Sequence, residues 1–137
     1  MAPPRPVRVL LVDDNPAVLR QIAQLLPDDL EIVGVQESGK GLDTAIERHW
    51  PDVVVLDISL PGQNGIVIAG GLVAAGVPTR IVFLTVHEDA DYLRAALGAG
   101  ACGYVVKARL SLDLVPALRH AFEGKRFISP IAELRID

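Results

Sequence analysis

The chain has 137 residues, about one domain at ~150 residues per domain. Half of them are hydrophobic and 22% are charged, which excludes a disordered or collagen-like chain and leaves enough apolar material for a core without disulfides. Thirteen Lys and Arg against seventeen Asp and Glu give a net charge of −4, which counts against wrapping nucleic acid or lying on an anionic membrane by charge alone.

Residues 1–6, Met-Ala-Pro-Pro-Arg-Pro, read as an extended, loosely ordered lead. Val7–Val12 is a short aliphatic run of the kind buried on both faces of a parallel sheet. Ala17–Leu26 places Val18, Ile22 and Leu25 at helical spacing, behind Asn15 as a cap and Pro16 at the first helical position. Glu31–Val35 predicts a second strand, and Lys40–Arg48 a helix with Leu42, Ala45 and Ile46 on one face. Val53–Leu56 predicts the third strand. Gly65–Ala75 is a weaker helix, because Gly70 and Gly71 each cost about 1 kcal/mol relative to alanine. Ile81–Leu84 predicts a strand, Asp89–Leu97 a helix carrying Tyr92, Ala95 and Ala96, and Gly98 and Gly100 its end. Gly103–Val106 predicts the fifth strand. Ser111–Phe122 predicts the last helix, with Ser111 as cap and Gly124 as terminator.

Strand and helix alternate five times, which implies right-handed crossovers and a doubly wound, five-stranded parallel sheet between helix layers. Beyond Gly124, Ser129-Pro130 reads as the start of a new helix, and residues 125–137 as a linker or C-terminal tail too short for an output domain. Cys102 is the one cysteine, so a disulfide framework and a cysteine-based zinc cluster are excluded. No apolar stretch reaches the ~18 residues of a membrane span, and Asp13-Asp14 cuts the first run too early for a signal peptide. The expectation is a cytoplasmic, soluble, single domain.

The residues that end the apolar runs carry the chemistry. The runs stop at Asp13-Asp14, at Asp57, at Thr85 and at Lys107, and parallel strands bring these five residues to one carboxyl edge, where open α/β sheets bind ligands. Carboxylates at close quarters need a counter-charge, and a few hard oxygen ligands with room for water suit Mg²⁺. Thr85 can donate a hydrogen bond to a phosphoryl oxygen, and Lys107 supplies a cation. A carboxylate so placed can attack phosphorus and become an acyl phosphate. Taken singly, each residue has a plainer reading: Asp14 or Asn15 as a helix cap, Asp57 as a turn aspartate, Thr85 as a cap and Lys107 as a surface lysine.

Leu11-Val12-Asp13-Asp14-Asn15, the run from Val55 to Gly65, Leu84-Thr85 and Gly103-Tyr104-Val105-Val106-Lys107 together resemble the receiver domain of two-component response regulators. The resemblance covers residues 7–124. It implies the flavodoxin-like strand order 2-1-3-4-5 and Asp57 as phosphoacceptor. Asp14 and Asp57 would bind Mg²⁺ through their side chains, Asp13 through water and Ser59 through its backbone carbonyl. Thr85 and Tyr104 match the family's switch pair, and Lys107 would pair with the phosphoryl group. The implied donor is a sensor histidine kinase, and a homodimer is left open. No enzyme activity is implied beyond the domain's own phosphorylation and dephosphorylation.

The stretches Thr85–Ala101 and Ala121–Pro130 are similar to the NarL or LuxR group, whose output is a helix-turn-helix domain. DNA binding would belong to such a domain and not to this chain. Two departures from the common pattern bear on site access: Ala108 follows Lys107 where proline is frequent, and Val86 is bulkier than the usual residue after the threonine. His87 reads as solvent-exposed loop near the site mouth, at a position that, like Ser59, tunes phosphate lifetime in the family. His49 and His120 read as solvated helix positions, Cys102 as a small buried hydrophobe and Trp50 as a packing residue roughly 20 Å along the strand from Asp57. Asp52 and Asp91 have no evident partner.

Three other functions fit less well. An aspartate-nucleophile phosphohydrolase would want a second acid at position 59, which is serine. A flavin module would want a Ser, Thr and Gly-rich loop after the first strand, where Asp13-Asp14-Asn15-Pro16 stands. A receiver acting by protein contact without phosphate would not need the intact acids, threonine and lysine.

Overall fold

The computed structural model describes residues 5–132. The first four residues of the expected lead and the last five of the expected tail lie outside the described residues. In chain order the elements are β1 (Val7–Val12), α1 (Pro16–Leu25), β2 (Leu30–Gln36), α2 (Leu42–His49), β3 (Val53–Asp57), the short pair β4 (Ser59–Leu60) and β5 (Gln63–Asn64), α3 (Gly65–Ala74), β6 (Arg80–Thr85), α4 (Ala90–Gly98), β7 (Gly103–Val106), α5 (Leu110–Phe122) and β8 (Phe127–Ile128).

The main sheet runs β2-β1-β3-β6-β7-β8, with every pairing parallel. Its first five strands follow the expected order. The expected five-stranded sheet is extended by one: β8 pairs Phe127 with Gly103 and Ile128 with Tyr104 on the outer edge of β7. That strand has only two residues, so no periodicity announces it. β4 and β5 form a separate antiparallel hairpin after β3.

The uninterrupted aliphatic runs follow from burial on both faces. Along β1, Val7, Val9 and Leu11 enter the cluster that holds Ile22 of α1 and Leu114, Ala117 and Leu118 of α5. Leu10 and Val12 point the other way, into the cluster that holds Leu42 and Ile46 of α2, Leu72 of α3 and Leu93 of α4. The period-2 alternation of a strand therefore feeds two cores, one per helix layer.

Local chemistry sets the helix ends. Asn15 Oδ1 accepts from the Ala17 and Val18 amides at 2.9 and 3.3 Å, with Pro16 in the first turn where its missing N–H costs nothing. Helix α3 continues through Gly70-Gly71 because Gly65, Ala69 and Leu72 are buried along one side, and that packing outweighs the propensity cost. The last helix starts earlier than expected. A 3₁₀ turn over Lys107–Arg109 leads directly into α5, so Ser111 lies inside the helix and Arg109 precedes it without a side-chain cap.

Ser129 also departs from its reading as the start of a new helix: it is 1% exposed and its hydroxyl is bonded to Val106 and Asp113. Trp50 is not a packing residue. The chain leaves α2 through a left-handed conformation at Trp50 (φ 49°), immediately before Pro51, and the indole is 77% exposed. Cys102 is half-buried beside the α1/α5 core, not fully buried. His49 and His120 are half-buried too; His49 accepts from Arg8 through its carbonyl, and the His120 ring meets Phe127 edge-on. Asp52 does have partners, the Arg5 guanidinium at 2.9 Å and the Arg8 amide at 2.8 Å, and Asp91 pairs with Arg94.

Candidate phosphoryl and metal site

The carboxyl ends of β1, β3, β6 and β7 deliver the site. Asp13 follows the last residue of β1 and Asp57 ends β3, with 2% and 4% of their surface exposed. Asp14, one residue further, is exposed. Oxygens from Asp13, Asp14 and Asp57 all lie within 4.8 Å of one another. Between the two buried acids sits Lys107, whose Nζ is 3.1 Å from Oδ2 of Asp13 and 3.1 Å from Oδ2 of Asp57. One cation thus faces three carboxylates.

Backbone donors fix the remaining oxygens. Asp13 Oδ1 accepts from the Asn15 amide at 2.8 Å, and Asp57 Oδ1 accepts from the Ser59 amide at 3.0 Å. Asp13 Oδ2 is buried with no well-aligned hydrogen-bond donor among the described residues; its contact with Lys107 is one of charge. Such an oxygen, next to two further carboxylates, is a ready ligand for a hard cation. Burial pushes the Asp57 carboxyl above its usual range and the Asp13 charge adds to this, while the Ser59 amide and Lys107 offset only part. Burial alone would lower the Lys107 ammonium, but Asp13 and Asp57 outweigh it and hold its pKa above the ordinary value. The cluster is therefore short of positive charge and can hold a metal.

Thr85 ends β6, one residue beyond the Asp57–Leu84 pairing, and is 1% exposed. Its Oγ1 accepts from the His87 amide at 3.1 Å. On the next strand, Tyr104 is fully buried, and its hydroxyl donates to the His87 carbonyl at 2.9 Å. Burial pushes the phenol up to about 12, with Asp89 adding to it, so the hydroxyl remains a donor at any ordinary pH.

His87 is not the solvent-exposed loop residue that the sequence suggests. Its backbone holds both Thr85 and Tyr104, its Nε2 lies 3.0 Å from Ser59 Oγ, and its ring stacks on Tyr92 at 3.8 Å between centroids. Gly65, which closes the run that begins at Val55, is needed for a steric reason. A Cβ there would lie 2.3 Å from the carbonyl oxygen of Asp57 and 2.9 Å from Ile58 Cα. No spacing rule exposes either contact, because both depend on the β3–α3 loop folding back on itself.

A cavity of about 420 Å³ lies well away from the acids, among Arg5, Arg8, Trp50, Asp52, Arg80 and Phe122. Its guanidinium groups are already engaged, by Asp52 and by the carbonyls of His49, Trp50 and Ala121. The acidic edge is therefore the candidate site.

A family profile, the response regulator receiver domain, matches residues 9–119. The chain belongs to this family. It is a receiver domain of the two-component response regulators, a module of phosphorylation-based signalling. The chain is 30% identical to the oxygen regulatory protein NreC of Staphylococcus carnosus over 127 residues, 90% of this chain and 58% of that one. It is 35% identical to the response regulator GacA of Pseudomonas viridiflava over 126 residues, covering 90% and 59%. The receiver thus spans about three-fifths of the length of the curated relatives it matches.

Among solved structures, the signal receiver domain of the response regulator NarL from Mycobacterium tuberculosis superposes with a TM-score of 0.83 at 28% identity, covering 89% of this chain and 100% of that one. The isolated receiver domain of RcsB from Salmonella enterica serovar Typhimurium, determined with phosphomimetic BeF₃⁻, gives 0.83 at 27% identity, covering 91% and 94%. These likenesses place the receiver in the NarL/LuxR group and support the flavodoxin-like fold. No helix among the described residues is long and apolar enough to cross a membrane.

Proposed function

We propose that this receiver accepts a phosphoryl group on Asp57 from a sensor histidine kinase, in a Mg²⁺-dependent reaction, and thereby controls a DNA-binding output region. The observation that carries the reading is the buried acid pair Asp13 and Asp57 sharing the single Lys107 ammonium, next to the exposed Asp14. Asp14 and Asp57 side chains, Asp13 through water and the Ser59 carbonyl would hold the Mg²⁺. The ion supplies charge neutralisation for the incoming phosphoryl oxygens.

The chain's own groups do the rest. The Ser59 amide holds Asp57 Oδ1, leaving Oδ2 on the side of Lys107. An Asp57 oxygen attacks phosphorus, a P–O bond forms as the P–N bond of the phosphohistidine breaks, and the leaving imidazole takes up a proton. Lys107 then exchanges its Asp57 contact for a phosphoryl oxygen. Thr85 turns its hydroxyl toward the same group, and Tyr104 shifts the equilibrium of the surface around β6, α4, β7 and α5.

The receiver unit runs from residue 7 to residue 124 in this reading, residues 125–137 serve as the linker or C-terminal tail, and the setting is cytoplasmic. RcsB dimers have been seen bound to DNA, which supports a DNA-binding output and a homodimer for the whole regulator. The test is intact-protein mass after incubation with acetyl phosphate, with and without Mg²⁺, alongside Asp57→Asn. A Mg²⁺-dependent gain of one phosphoryl group, absent in the variant, is expected. A gain that persists in Asp57→Asn would overturn the assignment.

A further inference from the structure

Residues 127–132 lie beyond the part of the chain that matches the family profile, yet they are built into the fold at three points. The first is Ser129. β8 stops at Ile128, opposite Tyr104, so the Val106 amide has no ladder partner on that side. The Ser129 hydroxyl takes its place, accepting from Val106 N–H at 3.2 Å and donating to Asp113 Oδ2 at 2.7 Å. Its own amide donates to the Tyr104 carbonyl at 2.8 Å. A hydroxyl is suited here because it accepts and donates at once, which leaves no buried polar group unpaired. Asp113 is closed from the other side by Arg109, at 2.7 and 3.3 Å, and Arg109 ends the 3₁₀ turn that begins with Lys107.

The second point is Ile131, 1% exposed, in the cluster that contains Tyr104, Leu93, Ala96 and Val106. The third is the Ala132 amide, which donates to Glu88 Oε1 at 3.2 Å, one residue from His87. Each anchor of this short segment therefore touches an element of the site: the loop that carries Lys107, the core around the Tyr104 ring, and the loop between Thr85 and α4.

We propose that residues 127–132 form a latch that couples the Asp57 site to the C-terminal exit of the receiver, with Ser129 as a positioning residue for the loop that carries Lys107; this rests on Asp57 as phosphoacceptor. The coupling has a physical route. Thr85 Oγ1 at present holds the His87 amide, and a Thr85 that turns to a phosphoryl oxygen gives that amide up. The 85–89 loop then resettles, carrying both the His87 carbonyl that holds Tyr104 and the Glu88 carboxylate that holds Ala132. Coupling of this kind is reciprocal, so loosening the latch changes the site's affinity for a phosphoryl mimic by the factor that the mimic changes the latch.

The test is NMR-detected hydrogen exchange on the full chain, with Mg²⁺ alone and with Mg²⁺ plus BeF₃⁻. Affinity for BeF₃⁻ is measured in parallel for the native chain, Ser129→Ala and Asp113→Asn. The expected result is a change of about tenfold or more in exchange at the Phe127 and Ser129 amides, with Val9 and Leu11 of β1 unchanged, and an affinity shift of about fivefold or more in the variants. If BeF₃⁻ shifts the resonances around Asp57 while exchange at 127–129 stays the same, the latch is refuted and the phosphoacceptor reading stands. If BeF₃⁻ shifts nothing around Asp57, that reading fails and the latch fails with it. Should either variant not fold, the exchange measurement on the native chain still decides.

Discussion

The Tyr104 hydroxyl, on a ring with no exposed surface, donates to the backbone carbonyl of His87 at 2.9 Å. That bond ties β7 to the loop after β6, and the same His87 gives its amide to Thr85. The side chains of Thr85 and Tyr104 thus meet on one residue's backbone.

Tyr104→Phe keeps the ring and removes only the donor. The expected loss is about 1 kcal/mol, with faster amide exchange at His87 as the bond to its carbonyl goes. Tyr104→Ala also leaves a cavity beside Phe83, Leu93 and Ala96, and should cost about 3–5 kcal/mol. Urea unfolding of the two variants separates the hydrogen bond from the packing.

Three carboxylates against one ammonium make the acidic edge a source of instability when no divalent ion is present. Asp57→Asn relieves the repulsion with Asp13 and leaves Lys107 paired with Asp13. Its melting temperature in chelator should exceed that of the native chain by a few degrees. Mg²⁺ should then raise the melting temperature of the native chain much more than that of the variant. A variant less stable than the native chain in chelator would contradict the charge argument.

Asp113 titrates with a stability consequence of known sign. Burial would raise its pKa, but the hydrogen bonds from Arg109 and Ser129 outweigh burial and hold it below the ordinary value of 3.8. A depressed folded pKa contributes stability above the unfolded value, and that contribution disappears as pH falls through the folded pKa. The Asp113 contribution is therefore intact at pH 7 and fades below about pH 4. In Asp113→Asn the stability gap from the native chain should be large at pH 7 and shrink at pH 3, as read by urea midpoints. A gap that is constant across that range would mean the Asp113 charge contributes nothing.

Glycine to alanine should act in opposite directions within α3. At Gly65 the new Cβ meets the Asp57 carbonyl at 2.3 Å, a backbone contact that cannot swing aside. Gly65→Ala should cost about 1–3 kcal/mol and lower phosphoryl uptake, since the displaced atoms carry Asp57. At Gly70 and Gly71 nothing lies within 4 Å of the added carbon, and each substitution should stabilise by about 1 kcal/mol. Thermal melts of the three variants, with acetyl phosphate labelling of Gly65→Ala, check both signs.

The five aliphatic strands, the helices between them and the polar residues at their carboxyl ends follow from the residue pattern alone. They do so because burial on both faces of a parallel sheet demands continuous apolar runs, and the first polar residue after each run marks an end. Asp13, Asp14, Asp57, Thr85 and Lys107 were legible for that reason, and Asn15 was legible as a cap because capping is local. Contacts made across long stretches of chain depend on the folded arrangement. Ser129 became a buried bridge and not a cap because its partners, Val106 and Asp113, are brought beside it by the sheet and α5. His87 became a junction because Ser59 and Tyr104 reach it from other strands, and a two-residue strand such as β8 exists only where an edge is waiting for it. Even Trp50, large and apolar, faces outward, because the left-handed exit before Pro51 fixes its direction more strongly than its hydrophobicity does.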